Sequence, residues 1–137
     1  MIRWTFLVLL AAAVAGCGGG GDDEPDAGDE AGPAVQLTIV VTDDAGEREA
    51  TLECEPEGGT HPDPEEACRA LAANVGALEP VPQDVACTQQ YGGPERARIT
   101  GAVRDRAVEA ELNRANGCEI SRWDHLEALL DVRAAER

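Results

Sequence analysis

The stretch "CEPEGGTHPDPEEAC", residues 54–68, joins a turn-rich loop to the start of a helix and has a cysteine at each end. Asp63 is a good N-cap because its carboxylate can accept hydrogen bonds from the first helical turn, and Pro64 suits the first helical position. Glu66 completes a capping-box pattern with Asp63, and Gly76 can end the helix. The residues expected on its buried face are Cys68, Leu71, Ala72 and Val75.

Two strands are predicted before this helix. "VQLTIVV" (35–41) and "EREATLEC" (47–54) both alternate apolar and polar residues, which is typical of half-buried strands. "DDAG" (43–46) between them has turn composition, so the two runs predict a hairpin. The residues expected to point inward are Val35, Leu37, Ile39, Val41, Ala50, Leu52 and Cys54.

A second hairpin and a second helix are predicted after it. "RARITGAV" (96–103) and "AVEAELN" (107–113) alternate in the same way and turn near Arg104-Asp105. A last helix is predicted with Ser121 as its N-cap and an apolar stripe of Trp123, Leu126 and Leu130. Together the elements predict an α+β domain in which an antiparallel sheet carries two helices.

The cysteines of this domain are expected to stabilise a thin core. Residues 35–137 contain only Tyr91 and Trp123 as aromatic residues, and small exported domains gain much of their stability from disulfides. Four cysteines predict two bridges, with three pairings open. A four-cysteine zinc site is disfavoured because the sequence has no close C-x-x-C pair. These cysteines are Cys54, Cys68, Cys87 and Cys118.

The N-terminus has the pattern of an export signal. Residues 4–15, "WTFLVLLAAAVA", follow one arginine and are too short an apolar run to span a bilayer, which needs about 20 residues. "VAGC" at 14–17 is similar to the lipobox of bacterial lipoproteins, in which the signal, here 1–16, is removed and the cysteine, here Cys17, receives lipid such as palmitate. Two or more acyl chains would anchor the protein stably. An ordinary secretion signal is the alternative, and it would make the protein extracellular.

Residues 17–34 form an acidic, glycine-rich stretch that predicts a disordered tether between lipid and domain. Removal of the signal would leave 10 Arg, no Lys and 27 Asp and Glu, a formal net charge of −17. That charge argues against a nucleic-acid partner and against charge-driven adhesion to anionic lipid, so the membrane is expected as a partner only through the anchor. A calcium site in the stretch is disfavoured because the ligand spacing of an EF-hand is missing.

Catalytic residues, metal ligands and cofactor motifs are not predicted. Ser121, the only serine, lies near Asp124 and His125, but one helix would fan these side chains out and a triad needs a linear relay. His61 lies in a Pro/Gly turn and is expected to be a structural hydrogen-bonding residue. The chain is therefore predicted not to be an enzyme.

Two groups of residues carry a family resemblance. "CEPEGGTHPDPEEAC" (54–68), with its Gly-Gly-Thr-His-Pro centre, resembles the cysteine-to-cysteine loop of the Streptomyces subtilisin inhibitor family. "ACTQQYGGP" (86–94), taken with "RANGCEI" (114–120), resembles that family's reactive-site segment and its partner cysteine. The resemblance covers roughly 35–123.

The resemblance implies a five-stranded antiparallel sheet with two helices and the disulfides Cys54–Cys68 and Cys87–Cys118. It also implies substrate-like inhibition of an extracellular, subtilisin-like serine protease. By position the scissile bond joins Gln89 to Gln90. The residues that flank this bond in the reactive loop are Cys87, Thr88 and Tyr91.

The function expected from these residues is that of an extracytoplasmic protease inhibitor, lipid-anchored to the cell membrane, whose inhibitory domain is 35–137. The alternative is an envelope lipoprotein that keeps the fold as a non-inhibitory binding module. The formation of a homodimer is left open.

The lipobox interpretation predicts that Cys17→Ala releases the protein from the membrane fraction, because no acyl chain could then be attached. Fractionation of the expressing cells measures this, with the parent chain as the membrane-bound control. Retention of the variant in the membrane fraction would contradict the anchor.

Overall fold

The structure is a computed structural model that describes residues 32–133. Strands that alternate buried and exposed side chains form two long hairpins. The two predicted hairpins are confirmed, and the first buries every side chain predicted to point inward. In the second hairpin Val103 and Val108 are only partly buried and Gly101 is exposed. A fifth strand, of two residues, lies between the two hairpins in the sequence. The strands are β1 Val35–Asp43, β2 Gly46–Cys54, β3 Gly58–Gly59, β4 Arg96–Val103 and β5 Arg106–Asn113.

The five strands form one antiparallel sheet in the order β3-β2-β1-β4-β5. The helices on the sheet's buried face are α1 Pro64–Asn74, α2 Gly117–His125 and α3 Glu127–Leu130. In the centre of the sheet Ile39 of β1 is paired with both Ala50 and Ile99, and the side chains of Ile39 and Ile99 are fully buried. The α+β prediction is therefore confirmed, with the last helix in two pieces.

The short strand β3 was not predicted from the residue pattern. Gly59 adopts φ +92°, and a Cβ atom at this position would collide with the carbonyl oxygen of Thr51. The backbone N–H groups of Thr60 and His61 both donate to that same oxygen, each at 2.9 Å. Glycine at 59 thus allows the loop to approach β2 closely enough for these bonds to form.

The N-terminus of α1 is capped as predicted, but the capping box is half wrong. Asp63 accepts a 3.0 Å hydrogen bond from the Glu66 N–H. The Glu66 carboxylate pairs with Arg69 instead of reaching back, and the Asp63 N–H donates to His61 Nδ1 at 3.1 Å. The histidine ring thus replaces the glutamate as the acceptor for the cap's own N–H.

The predicted buried face of α1 is confirmed at Leu71 and in part at Cys68, and it is wrong at Ala72 and Val75. Ala67 and Leu71 are buried, whereas Ala72 and Val75 are exposed. Cys68 is partly buried against the core, and its disulfide joins Cys54 at the end of β2. The helix ends at Asn74, and a 3₁₀ turn, Val75–Leu78, follows where Gly76 was expected to close it.

The predicted start of the last helix was wrong. α2 begins at Gly117, and the Asn116 side chain caps it by accepting a 3.0 Å bond from the Glu119 N–H. Asn116 is an equally good capping residue. Ser121 lies inside the helix with its side chain exposed. The predicted apolar stripe is confirmed, since all of its residues are buried: Trp123, Leu126 and Leu130.

Both disulfides implied by the resemblance are present. Cys54–Cys68 joins β2 to α1 with a Cα–Cα distance of 5.8 Å. Cys87–Cys118 joins the long loop before β4 to the first turn of α2 at 5.4 Å. Each bridge therefore ties a loop or strand to a helix that is distant in the sequence.

The predicted signal 1–16, the lipidation site Cys17 and the tether up to residue 31 lie outside the described residues. Between residues 32 and 133, no helix is long and apolar enough to cross a bilayer.

Arg122 links α2 to its neighbours. Its guanidinium donates to the carbonyl oxygens of Ala77 at 3.0 Å, Glu111 at 3.3 Å and Leu78 at 3.4 Å. It also pairs with Glu119 at 2.7 Å, and the two side chains are only 11% and 15% exposed. Because these bonds join α2 to the 3₁₀ turn and to β5, they fix the position of α2 on the sheet.

Arg122→Met is expected to lower the free energy of unfolding by about 2–4 kcal/mol, because it leaves a largely buried carboxylate and several carbonyl oxygens without their donor. Urea unfolding measures this. The matched control is Arg98→Met, which removes an exposed ion pair with Glu111 and should cost less than about 1 kcal/mol. Equal losses for the two variants would contradict the assigned role of Arg122.

Candidate functional site

Residues 86–92, called the exposed loop below, follow α1 and precede β4. The segment has no regular secondary structure. The side chains of Thr88, Gln89 and Gln90 are exposed, and Tyr91 is 72% exposed, the largest value among the exposed large hydrophobic side chains of residues 32–133. This run of four exposed side chains, one of them aromatic, lies in a segment without regular structure and marks the loop as a candidate binding element.

The exposed loop is fastened on both sides of the Gln89–Gln90 bond. On the N-terminal side, Cys87 is bonded to Cys118 and the Thr88 carbonyl oxygen accepts a 3.0 Å bond from the Gly117 N–H. On the C-terminal side, the Gly92 N–H donates to the Arg114 carbonyl oxygen at 2.7 Å. All three attachments end on one segment, residues 114–118, which connects β5 to α2. The loop is therefore held at its two ends and projects between them.

Two glycines allow this close contact. A Cβ atom on Gly117 would collide with the Thr88 hydroxyl. A Cβ atom on Gly92 would lie 2.9 Å from Cγ1 of Ile120 and 3.1 Å from Cβ of Arg114. Since Cβ contacts below 3.0 Å essentially do not occur and contacts of 3.0–3.4 Å are tighter than most, a side chain at either position would force the neighbouring groups to shift.

One side-chain hydrogen bond connects the residues on either side of Gln89 and so bridges the Gln89–Gln90 peptide bond. The Thr88 hydroxyl donates to Oε1 of Gln90 at 3.0 Å. The two residues lie on opposite sides of Gln89, whose own side chain points to solvent as an exposed group.

Charged groups lie at the base of the exposed loop and not on it. Residues 86–94 contain no charged residue. Below them Arg114 pairs with Glu95 at 3.5 Å, and both side chains are about one-third exposed or less. A neighbouring polar cavity of about 210 Å³ also contains Asp43, whose pKa is lowered by hydrogen bonds from Arg48 and from the Ala45 N–H. The exposed part of the loop is thus electrically neutral.

Sequence reasoning found the exposed loop but missed part of its support. The resemblance placed Cys118 opposite Cys87, and the structure confirms that contact. The roles of Arg114, Gly117 and Gly92 were not predicted, because they depend on backbone atoms. The one signal in the sequence was the Asn-Gly pair at 116–117, which is typical of a turn. Its asparagine can cap a helix, and its glycine leaves room for another part of the chain to approach.

The residues considered for catalysis do not form a site. Ser121, Asp124 and His125 are exposed along α2. His61 is buried with both ring nitrogens engaged, Nδ1 by the Asp63 N–H and Nε2 by the Leu129 carbonyl oxygen at 3.1 Å, so its predicted structural role is confirmed. Within residues 32–133 no group of three or more His, Cys, Asp or Glu side chains could hold a metal ion.

Comparison with known proteins identifies the family. The family model described as "Subtilisin inhibitor-like" matches residues 31–116, which include both hairpins, α1 and the exposed loop. The chain belongs to the subtilisin inhibitor-like family.

Two relatives in this family are a third or more identical to the chain over the aligned residues. The "Subtilase-type protease inhibitor" of Streptomyces fradiae is 39% identical over 90 residues, which are 60% of this chain and 63% of that protein. "Subtilisin inhibitor-like protein 1" of Streptomyces cacaoi is 33% identical over 85 residues, 58% of this chain and 76% of that protein. The match thus spans less than two-thirds of the Streptomyces fradiae protein. The names of both relatives describe inhibitors or inhibitor-like proteins and not enzymes. Family membership therefore agrees with the prediction that the chain is not an enzyme.

One solved structure is also similar, a crystal structure of Streptomyces caespitosus sermetstatin in complex with Bacillus licheniformis subtilisin. Its sequence identity is 25% and its TM-score 0.46, and the alignment covers 72% of this chain and 97% of that chain.

Gly117→Ala tests the close contact under the exposed loop. Alanine at this helical position gains up to about 1 kcal/mol in propensity, so any loss of stability reports the collision with Thr88. We expect the free energy of unfolding to fall by about 1–3 kcal/mol, measured by urea denaturation. Gly76→Ala is the matched control, because a Cβ atom there meets nothing within 4 Å; it should leave stability unchanged or raise it by up to about 1 kcal/mol. Identical behaviour of the two variants would contradict the described contact.

Proposed function

We propose that the protein inhibits subtilisin-like serine proteases by presenting the Gln89–Gln90 bond as a substrate-like reactive site. The observation that carries the proposal is the exposed, neutral span from Gln89 to Tyr91, fastened on both sides to the single segment 114–118. A protease cleft binds an extended backbone, and this span is the part of the loop left free to enter one.

The attachments supply affinity by reducing the entropy lost on docking. A loop that is already ordered by a disulfide and by two backbone hydrogen bonds loses little conformational freedom when it binds. Protease–inhibitor complexes bury about 1,600 Å² in total and are among the tightest known, where 1 nM affinity corresponds to about −12 kcal/mol. Preorganisation of this kind is what allows an interface of ordinary size to bind so tightly.

The same attachments oppose productive hydrolysis. After cleavage, the new carboxyl end at Gln89 remains attached through Thr88 and Cys87, and the new amino end at Gln90 remains attached through Gly92. The two ends therefore stay close together, which favours reformation of the bond over release.

The family and its relatives support this reading. The region that matches the subtilisin inhibitor-like family includes the whole exposed loop. The relative from Streptomyces fradiae is named a subtilase-type protease inhibitor, which fits a subtilisin-like partner for this chain as well.

Gln89 is the residue proposed to enter the primary specificity pocket. Its side chain is long and neutral, which suits the tolerant pocket of subtilisin-like enzymes. The pocket of trypsin instead contains a carboxylate that requires a cationic partner.

The proposed place of action is outside the cytoplasm. An exported chain with two disulfides suits an oxidising compartment. Lipid attachment at Cys17 would hold the inhibitor at the cell membrane, and without it the protein would diffuse freely. Homodimer formation stays an open prediction.

A progress curve separates inhibition from the alternative, a non-inhibitory binding module. Residues 32–137 are mixed with subtilisin, and the expected result is stoichiometric, slowly reversed loss of protease activity. Rapid and complete digestion of the domain, with full protease activity retained, would favour the binding module.

Gln89→Lys is expected to create strong inhibition of trypsin, because the ammonium gains a carboxylate partner at the base of the pocket. The improvement in the trypsin inhibition constant should be about 100-fold or more, equivalent to about 3 kcal/mol. Since the side chain is exposed in the free protein, the free energy of unfolding should change by no more than about 0.5 kcal/mol.

The controls for this experiment are two further variants of the loop. Gln89→Gly should weaken inhibition of subtilisin, because the pocket is left empty and the loop becomes more flexible. Gln90→Ala should matter less, since the pocket contact is unchanged. If all three variants keep the parent's inhibition constants for both trypsin and subtilisin, the Gln89–Gln90 bond is not the reactive site.

A further inference from the structure

The Thr88–Gln90 hydrogen bond lies across the bond that the proposed function exposes to cleavage. The donor, the Thr88 hydroxyl, belongs to the side that carries the Gln89 carbonyl, and the acceptor, Oε1 of Gln90, belongs to the side that carries the nitrogen. It therefore connects the two groups that separate when the peptide bond is broken.

The donor residue of this hydrogen bond, Thr88, is held in place by the segment 114–118. The Gly117 N–H holds the Thr88 carbonyl oxygen at 3.0 Å, and the absent side chain of Gly117 leaves room for the Thr88 hydroxyl. The disulfide at the preceding residue, Cys87, restrains the same stretch of backbone. The backbone that carries the Thr88 hydroxyl is therefore restrained while the hydroxyl donates to Gln90.

We propose that Thr88 and Gln90 are positioning residues whose side-chain hydrogen bond slows net hydrolysis of the Gln89–Gln90 bond. The proposal rests on the proposed function, because it assigns these residues a part in how the reactive site resists the protease. It is a statement about the cleavage step, separate from the identity of the pocket residue Gln89.

The chemistry of the step explains how the hydrogen bond acts. The protease serine oxygen adds to the Gln89 carbonyl carbon, its proton passes by way of the protease's general base to the Gln90 nitrogen, and the C–N bond breaks to leave an acyl-enzyme and a free amine. Water must then replace the amine and attack the acyl carbon, which releases the Gln89 carboxylate and restores the serine. While the side chain of Gln90 is held by Thr88, its amine stays beside the acyl carbon, and the reverse attack competes with water.

Single substitutions test whether the hydrogen bond has this effect. Thr88→Val keeps the branched shape and removes the hydroxyl, and Gln90→Met keeps the side-chain length and removes the acceptor. Each is expected to raise the rate of net hydrolysis about fivefold, the change that follows from the loss of a hydrogen bond worth about 1 kcal/mol. The rate is measured at saturating subtilisin, by mass spectrometry of reduced samples that detects the break between residues 89 and 90.

The double variant and two conservative variants distinguish a shared bond from two separate effects. Thr88→Val with Gln90→Met should hydrolyse no faster than either single variant, because both remove the same interaction. Thr88→Ser keeps a hydroxyl and Gln90→Glu keeps an oxygen acceptor, so both should stay within about twofold of the parent. Urea unfolding should show the same small loss of stability in each single variant and no further loss in the double variant, because all of them lack one and the same hydrogen bond.

Either of two results would overturn the proposal: rates that multiply to about 25-fold in the double variant, or single variants that match the parent. The parent's inhibition constant reports separately on the proposed function. If the parent is digested as an ordinary substrate through this bond, the inhibitory function fails, and the same rate comparison still decides the role of the hydrogen bond. If cleavage occurs at other bonds only, the assignment of Thr88 and Gln90 fails as well.

Discussion

The four long strands bury one face against the helices and leave the other face to solvent, so one alternate set of side chains supplies most of the core. The largest fully buried side chains are aliphatic, four from the strands and two from the C-terminal helical segment: Ile39, Leu52, Ile99, Leu112, Leu126 and Leu129. Within the part of the chain that the structure describes, Trp123 is the single buried residue among Phe, Trp and Tyr. A core this thin gains from covalent links, and Cys54–Cys68 provides one between β2 and α1. Because the helices must cover the sheet, the segment 114–118 at the start of α2 is fixed in space, and the exposed loop is fixed with it.

The sequence predicted the parts of the fold that depend on periodicity, because alternation over eight or nine residues has one interpretation when one face is buried. The strand pairs around Ile39 and Ile99 follow from that pattern. The residue pattern could not predict β3, since its two glycines have no side chains to alternate. The hydrogen bonds that hold this loop to β2 run from the Thr60 and His61 N–H groups to the Thr51 carbonyl oxygen, and main-chain bonds leave no pattern of residue types. The start of α2 was misplaced for a related reason. Asn116 and Ser121 are both good caps, and the choice between them is made by tertiary contacts such as those of Arg122.

The candidate site was predictable to the level of its cysteines and its exposed residues. Cys87, with the neutral residues that follow it, resembled a known reactive segment, and the disulfide to Cys118 agrees. The backbone contacts of Thr88 and Gly92 were not predictable, because main-chain atoms leave no pattern of residue types. The hydrogen bond between Thr88 and Gln90 was equally hidden, since many side-chain pairs two residues apart in a loop never meet.

The strand order has a further consequence for a chain cut within the exposed loop. β1, β2, β3 and α1 precede the loop, whereas β4, β5, α2 and α3 follow it. The ladder between β1 and β4, at the centre of the sheet, therefore joins two fragments of unrelated sequence that complement each other. With Cys87–Cys118 as a covalent link between them, a cut molecule is a split protein that is already assembled. The same arrangement makes the exposed loop a natural place for new chain ends in a circularly permuted form, because a break there separates two halves that the sheet itself holds together.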